Sequence, residues 1–261
     1  MINKSPLRYA GGKTRACKKL DDILIEHFDN TKYDNIISPF FGGGSFEFYL
    51  QNRYGYNIIA NDKFQPLVNF WSICKHRNDE LCAKLFPAIN TITKETFKDF
   101  RLFIMSEKDN LIQACMYFII NRCSFNAATL SGGFSHHNST KRFTTSSIER
   151  IKKLNLTEFE ILNMDFEEFI LNNDRENSLL FLDPPYCLLN SNLYGVDGDM
   201  HKNFDHVRLQ KCLSGRKNWL MTYNDCQYIR EIYKDYKIIE TSWTYGINKS
   251  KKSSEIVIIN L

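Results

Sequence analysis

The stretch richest in chemical potential is Leu179-Leu180-Phe181-Leu182-Asp183-Pro184-Pro185-Tyr186, an apolar run ending in an acid, two prolines and an aromatic ring. With proline near 5% of residues in proteins, an Asp/Asn/Ser-Pro-Pro-aromatic pattern arises by chance in a chain of 261 residues on the order of once in a hundred. Tandem prolines fix φ and carry no amide donor. The turn therefore offers the Asp183 carboxylate and the Pro184 carbonyl as adjacent acceptors for one exocyclic amine, and Tyr186 supplies a face for a planar ring. A second turn, Ser38-Pro39-Phe40-Phe41-Gly42-Gly43-Gly44-Ser45, separates a β-rich run from the helical stretch Phe46 to Asn52. Glycines there let a ligand approach the backbone and permit positive φ. A plain turn and a phosphate cradle are the competing readings, and the Gly-Lys-Ser/Thr that completes a P-loop is missing. About twenty residues on, Ile58-Ile59-Ala60-Asn61-Asp62 ends in an acid where open α/β folds hold a carboxylate for ribose hydroxyls. A cap or a surface acid is the alternative for Asp62. Together these features point to a nucleoside-bearing cofactor beside an amine-bearing substrate.

The elements that must position these residues are legible as periodicity. β-Rich runs occur at Asp34 to Ser38, Asn57 to Asn61, Phe159 to Asn163, Leu179 to Leu182, Asn218 to Tyr223, Lys237 to Thr241 and Glu255 to Asn260. Amphipathic stretches lie between most of them. Leu20, Ile23, Leu24 and Phe28 form one helical stripe, and Asp205 as N-cap with Gly215 as terminator brackets another. This alternation predicts an α/β fold built on a doubly wound mixed sheet, with the last two runs, joined without a helix, as an antiparallel hairpin. Residues 76–157 break the pattern. Helices are predicted at Thr93 to Met105 and Asp109 to Asn121, followed by a polar run from Cys123 to Ser147 that is too long for a simple linker. The expected organisation is a catalytic domain of residues 1–75 and 158–261, with a mainly helical insertion at 76–157 that ends in an exposed recognition loop.

The net charge of +4 is unevenly spread. Residues 1–20 carry Lys4, Arg8, Lys13, Arg15, Lys18 and Lys19 with no acid, and Asn121 to Lys153 carries six Lys and Arg against Glu149 alone. Two basic segments suit a polyanionic partner. The best apolar run, Met116 to Ile120, is five residues long, far below the roughly 18 needed to span a bilayer, and the opening residues lack the apolar stretch of a secretory signal. Neither a transmembrane nor an exported protein is expected; the expected compartment is the cytoplasm. The eight cysteines never stand two residues apart, which excludes zinc-ribbon and CxxC patterns and favours reduced thiols. Cys187 is read as structural, since no histidine stands in a matching pattern.

With Pro6-Leu7-Arg8-Tyr9-Ala10-Gly11-Gly12-Lys13 at the start, the glycine turn, Asp62 and Asp183-Pro184-Pro185-Tyr186 in that order, and Asn121-Arg122-Cys123-Ser124-Phe125-Asn126 between, the chain resembles the Dam-type (group α) DNA adenine-N6 methyltransferases. The resemblance implies a Rossmann-like methyltransferase core, S-adenosylmethionine as cofactor, double-stranded DNA as substrate and no metal. It places Tyr9, Gly12 and Lys13 at the cofactor's methionine end, Phe41, Gly42 and Gly44 at its backbone turn, Asp62 on its ribose and Asp165 and Phe166 at its adenine. It makes Asp183, Pro184 and Tyr186 the catalytic group, with Asp183 also bordering the cofactor. Arg8, Arg122, Phe125 and Asn126 fall at DNA-contacting positions. Lys141 and Arg142 are added from their charge, as phosphate contacts. Two departures stand out. The residue before Pro39 is Ser38 where the family usually has an acid, and Ala127-Ala128-Thr129-Leu130 lacks the arginine with which GATC readers recognise a base. The expected reaction is methylation of N6 on an adenine rotated out of the duplex, within a short recognition sequence. A monomer or weak dimer is expected, and a companion restriction endonuclease for the same site fits. Cytosine N4, ribosomal RNA adenine, a protein glutamine, or a nucleic-acid-binding module with a decayed core are the rival readings.

Overall fold

The computed structural model describes residues 2–9, 11–187, 204–243 and 254–261. Ala10 of the opening motif and the connection at 244–253, between the two strands expected to form the hairpin, lie outside the described residues. The strands are β1 Asn35–Ser38, β2 Asn57–Asn61, β3 Phe159–Leu162, β4 Ser178–Leu182, β5 Trp219–Asn224, β6 Lys237–Thr241 and β7 Glu255–Asn260. Each boundary falls within one residue of the expected run. They form one sheet in the order β3-β2-β1-β4-β5-β7-β6. The first five run parallel, and β7 is antiparallel to both β5 and β6.

The strands read as continuous apolar runs because both faces of the sheet are covered. Along β4, Leu179 and Phe181 pack on one side while Leu180 and Leu182 pack on the other, and Ile36 and Ile37 of β1 divide in the same way. One face is covered by α1 Cys17–His27, α2 Ser45–Tyr54 and α3 Gln65–His76. The other carries α9 Phe166–Asn172, α10 His206–Leu213 and α11 Gln227–Ile232, whose apolar side chains belong to the second core. Between α3 and β3 the chain runs through α4 Asn78–Leu85, α5 Lys94–Phe103, α6 Asn110–Cys123, α7 His136–Lys141 and α8 Thr145–Lys152. The predicted N-cap Asp205 is present, and two further caps accompany it. Thr93 and Asp109 accept from backbone amides at the starts of α5 and α6, as Asp205 does for α10, each such cap contributing about 1 kcal/mol.

The helical insertion shares the core of the sheet's first face. Phe118 of α6 stacks on Phe70 of α3 with centroids 5.7 Å apart, and Leu81, Phe97 and Ile148 belong to the same apolar cluster as Ile36 and Phe181. The exposed loop expected over Cys123 to Ser147 needs correcting. The segment folds into α7 and the start of α8, and Leu130, Asn138 and Phe143 are buried. Asn126, Ala127 and Thr129 hold φ of 51°, 59° and 45°, a conformation that costs on the order of 1 to 3 kcal/mol per residue outside glycine. Tertiary bonds sustain it: Phe125 donates its N–H to Gly133 O at 2.8 Å, and Thr129 N–H donates to Ser124 Oγ at 3.2 Å.

Candidate active site

Strand order reverses between β1 and β4, and a crevice outside the carboxyl ends of strands at such a point is where open α/β sheets take ligands. There a cavity of about 360 Å³ opens, within the range of small-molecule sites. Gly42 and Gly44 turn the chain from β1 into α2 with φ of 50° and 65°. A Cβ at Gly44 would stand 2.4 Å from the Phe41 ring, and one at Gly43 would stand 2.9 Å from Tyr9, so the turn is built for glycine. Tyr9 lies against this turn, and Gly12 and Lys13 also line the cavity.

Asp62, just past β2, is locked by two backbone donors, Gly42 N–H to Oδ2 and Phe64 N–H to Oδ1, both at 3.0 Å. Burial pushes its carboxyl up to about 6 against the pull of those amides. Asp165, past β3, accepts from Lys63 Nζ at 2.9 Å and from Arg208 Nη2. Burial alone would raise its carboxyl, but these two cations outweigh it and hold it below the usual carboxylate range. The Arg208 guanidinium lies 4.2 Å over Phe166, whose ring meets Phe40 and Phe204 at centroid distances of 5.7 and 5.4 Å. An aromatic wall with a charged edge results.

Asp183, past β4, is not vacant. Lys13 Nζ donates to both its oxygens at 2.6 and 2.7 Å, and Thr222 Oγ1 of β5 donates to Oδ1 at 2.6 Å. Lys13 is 3% exposed, also donates to Gly11 O at 3.0 Å, and lies 4.9 Å from the Tyr186 ring centroid. The lysine expected at a cofactor's methionine end thus sits on the acid expected to be catalytic. Pro184 is buried and Pro185 forms the adjacent cavity wall.

Of the expected DNA contacts, Phe125 is 59% exposed, and Asn126, Lys141 and Arg142 are also exposed. Arg8 is half-buried. Its guanidinium donates to Ser124 O at 3.3 Å and its backbone N–H to Asn121 Oδ1 at 2.9 Å. Arg122 requires correction as a DNA contact. It is 7% exposed, and its guanidinium is spent on Pro6 O at 3.2 Å and Arg142 O at 2.7 Å. It ties the opening segment to the start of the stretch after α7 because a buried guanidinium must find carbonyl acceptors.

Four residues escaped the sequence reading. Asn61 cross-links three strand ends, donating from Nδ2 to Pro39 O and Met164 O at 3.1 Å each and accepting from Met164 N–H at 2.8 Å. Thr222 and Arg208 come from β5 and α10. Glu47 of α2 lines the cavity and accepts from Ser38 Oγ at 2.6 Å, which brings a carboxylate to the place where the sequence shows only serine. The available signal was an amide inside an apolar strand for Asn61 and an acid between Phe46 and Phe48 for Glu47; neither Thr222 nor Arg208 had one.

A model of the family described as D12 class N6 adenine-specific DNA methyltransferase matches residues 9–247. Among curated proteins, the chain is similar to the Type II methyltransferase M.MjaIII of Methanocaldococcus jannaschii. The two are 24% identical over 257 aligned residues, covering 89% of this chain and 88% of the relative.

Proposed function

Because the chain belongs to the D12 class N6 adenine-specific DNA methyltransferases, we propose that the cavity at the strand ends binds S-adenosylmethionine beside a flipped-out adenine. The reaction is methylation of adenine N6 in DNA at a specific site. The observation that carries the proposed assignment of residues is the row of acids at the carboxyl ends of adjacent parallel strands, Asp165, Asp62 and Asp183 after β3, β2 and β4, with the glycine turn after β1 between the last two. The residues fit the cofactor. Asp62, its oxygens oriented by amides, suits vicinal ribose hydroxyls. Phe40, Phe166 and Phe204 suit a purine face with Asp165 at its edge, and the glycines let the ligand's middle approach the backbone. When bound, the cofactor would supply an electrophilic methyl group.

The chain's own groups do the rest. An adenine amine is a poor nucleophile because its lone pair is delocalised into the ring. Accepting its two N–H groups at Asp183 and the Pro184 carbonyl draws the nitrogen toward sp³ geometry, and the Asp183 charge stabilises the positive charge that grows on it. Tyr186 gives the flipped ring a face. Lys13, bonded to both Asp183 oxygens, compensates that charge until an amine displaces it. The exposed Phe125 and Asn126 would read sequence, Lys141 and Arg142 would hold phosphates, and Arg122 would brace the reader. The insertion at 76–157 would act as the target-recognition unit on the catalytic core. A monomer or weak dimer and a companion restriction endonuclease belong to the same reading. So does a cytoplasmic setting, with free thiols and no helix among the described residues long and apolar enough to cross a membrane.

The test is to express the chain in cells free of adenine methylation and sequence their DNA with modified-base detection, alongside methyl transfer from labelled S-adenosylmethionine in vitro. N6-Methyladenine at one short sequence is expected. Methyl groups on cytosine N4 or on RNA would overturn the substrate, and a different methyl donor would overturn the cofactor.

A further inference from the structure

Of the acids that line the cavity, Asp205 caps α10 and Asp62, Asp165 and Asp183 have tasks in this mechanism, which leaves Glu47 without one. It is 2% exposed, stands in the first turn of α2, and among the described residues the Ser38 hydroxyl is the only side chain hydrogen-bonded to it. Burying a carboxylate with so little support is costly unless a charge arrives to meet it. The charged groups that act on it are Asp183 after β4 and Lys13 before α1, and the Cys17 thiol of α1 faces it too. Lys13 is already committed to Asp183. This end of the cavity therefore holds two carboxylates and one cation, and is short of one positive charge.

We propose that Glu47 receives the primary ammonium group of the methyl donor's amino-acid end, an inference that rests on the donor being S-adenosylmethionine. The sheet order sets the direction. With the purine at Asp165 after β3 and the ribose at Asp62 after β2, a ligand lying across the strand ends carries its remaining end to β1 and β4. That is two strand spacings from β3 to β1, about 10 Å, where Ser38 and Glu47 stand. A sulfonium has no N–H to donate, whereas an ammonium matches a carboxylate whose other partner is a single hydroxyl. Burial pushes the Glu47 carboxyl up to about 7, with Ser38 and Lys13 pulling it down and Asp183 adding to the rise. An ammonium bound there would restore the ionised form.

The experiment is calorimetry of the full chain with S-adenosylhomocysteine and with its desamino analogue, which keeps the nucleoside and the carboxylate. Glu47→Gln should weaken S-adenosylhomocysteine binding about 10- to 100-fold and change the desamino analogue by less than about threefold. Binding of the analogue also shows that the variant is folded. Equal loss for both ligands, or no loss for either, overturns the assignment. A wild type that binds neither ligand overturns the donor reading, and Glu47's ligand with it. Should the variant not fold, the wild type decides. The affinity ratio of the two ligands should fall as pH is lowered through about 7, because the ligand ammonium stays charged there and any effect of Asp62 on the ribose is common to both. A flat ratio overturns the proposal.

Discussion

The proposed catalytic role of Asp183 and its pairing with Lys13 are separable by mutation. Replacing it with Ala removes the proposed acceptor for the target amine and should lower turnover by roughly 10² or more. It also strands the Lys13 ammonium, 3% exposed, and leaving such a charge unpaired costs on the order of 2 kcal/mol or more. Asp183→Ala should therefore be both inactive and less stable, while Asp183→Ala with Lys13→Met recovers stability in denaturant unfolding without recovering methylation. Wild-type turnover in either variant would remove Asp183 from the mechanism. Asp62 is simpler, because its two backbone partners remain when its side chain goes. Asp62→Ala should weaken S-adenosylmethionine binding by about 1.5 to 3 kcal/mol, and an unchanged calorimetric affinity would move the ribose contact elsewhere.

At the scale of elements, the proposed recognition segment divides into residues proposed to face DNA and residues that hold the segment in shape. Arg122 holds it through Pro6 O and Arg142 O, so Arg122→Met should cost roughly 2 to 3 kcal/mol of stability and leave the salt dependence of DNA binding nearly unchanged. Lys141→Ala with Arg142→Ala should do the reverse, shallowing the salt slope by about two units with similar losses on cognate and noncognate duplexes. Salt titrations of DNA affinity separate the two. Asn126 needs a different substitution. Its φ of 51° would strain alanine, whereas glycine accepts it. Asn126→Gly should preserve the melting temperature and cost roughly 1 to 3 kcal/mol on the cognate sequence alone; equal losses on every duplex would exclude it as the reader.

The molecule as a whole stores electrostatic cost in its cavity. The Glu47 carboxyl lies near 4.5 when unfolded and about 7 when folded. The folded state thus favours the protonated form, and this contribution to stability is full below pH 4.5 and lost as pH rises through about 7. Asp62, raised from 3.8 to about 6, follows the same sign. Glu47→Gln removes one such cost. Without ligand, its melting temperature should exceed that of wild type at pH 8 and converge with it near pH 4. A variant less stable than wild type at pH 8 would mean that Glu47 supports the fold through a contact beyond its charge.

The strands, their order along the chain and the acids that end them were legible because burial on both faces imposes continuous apolar runs, and because glycine and proline punctuate locally. Asp62, Asp183 and the glycine turn were readable on that basis, as was the cap Asp205, whereas Asp165 came from the family resemblance. The sequence by itself determined which residues end each strand. Only the tertiary structure decided which ends stand together, since strand pairing is a long-range choice with no local signature. That choice put Lys13 and Thr222 on Asp183, brought Arg208 into the cavity, and set Glu47 against Ser38. It also withdrew Arg122 from the surface, because charge along a chain does not reveal whether a guanidinium meets solvent or the carbonyls of its own backbone.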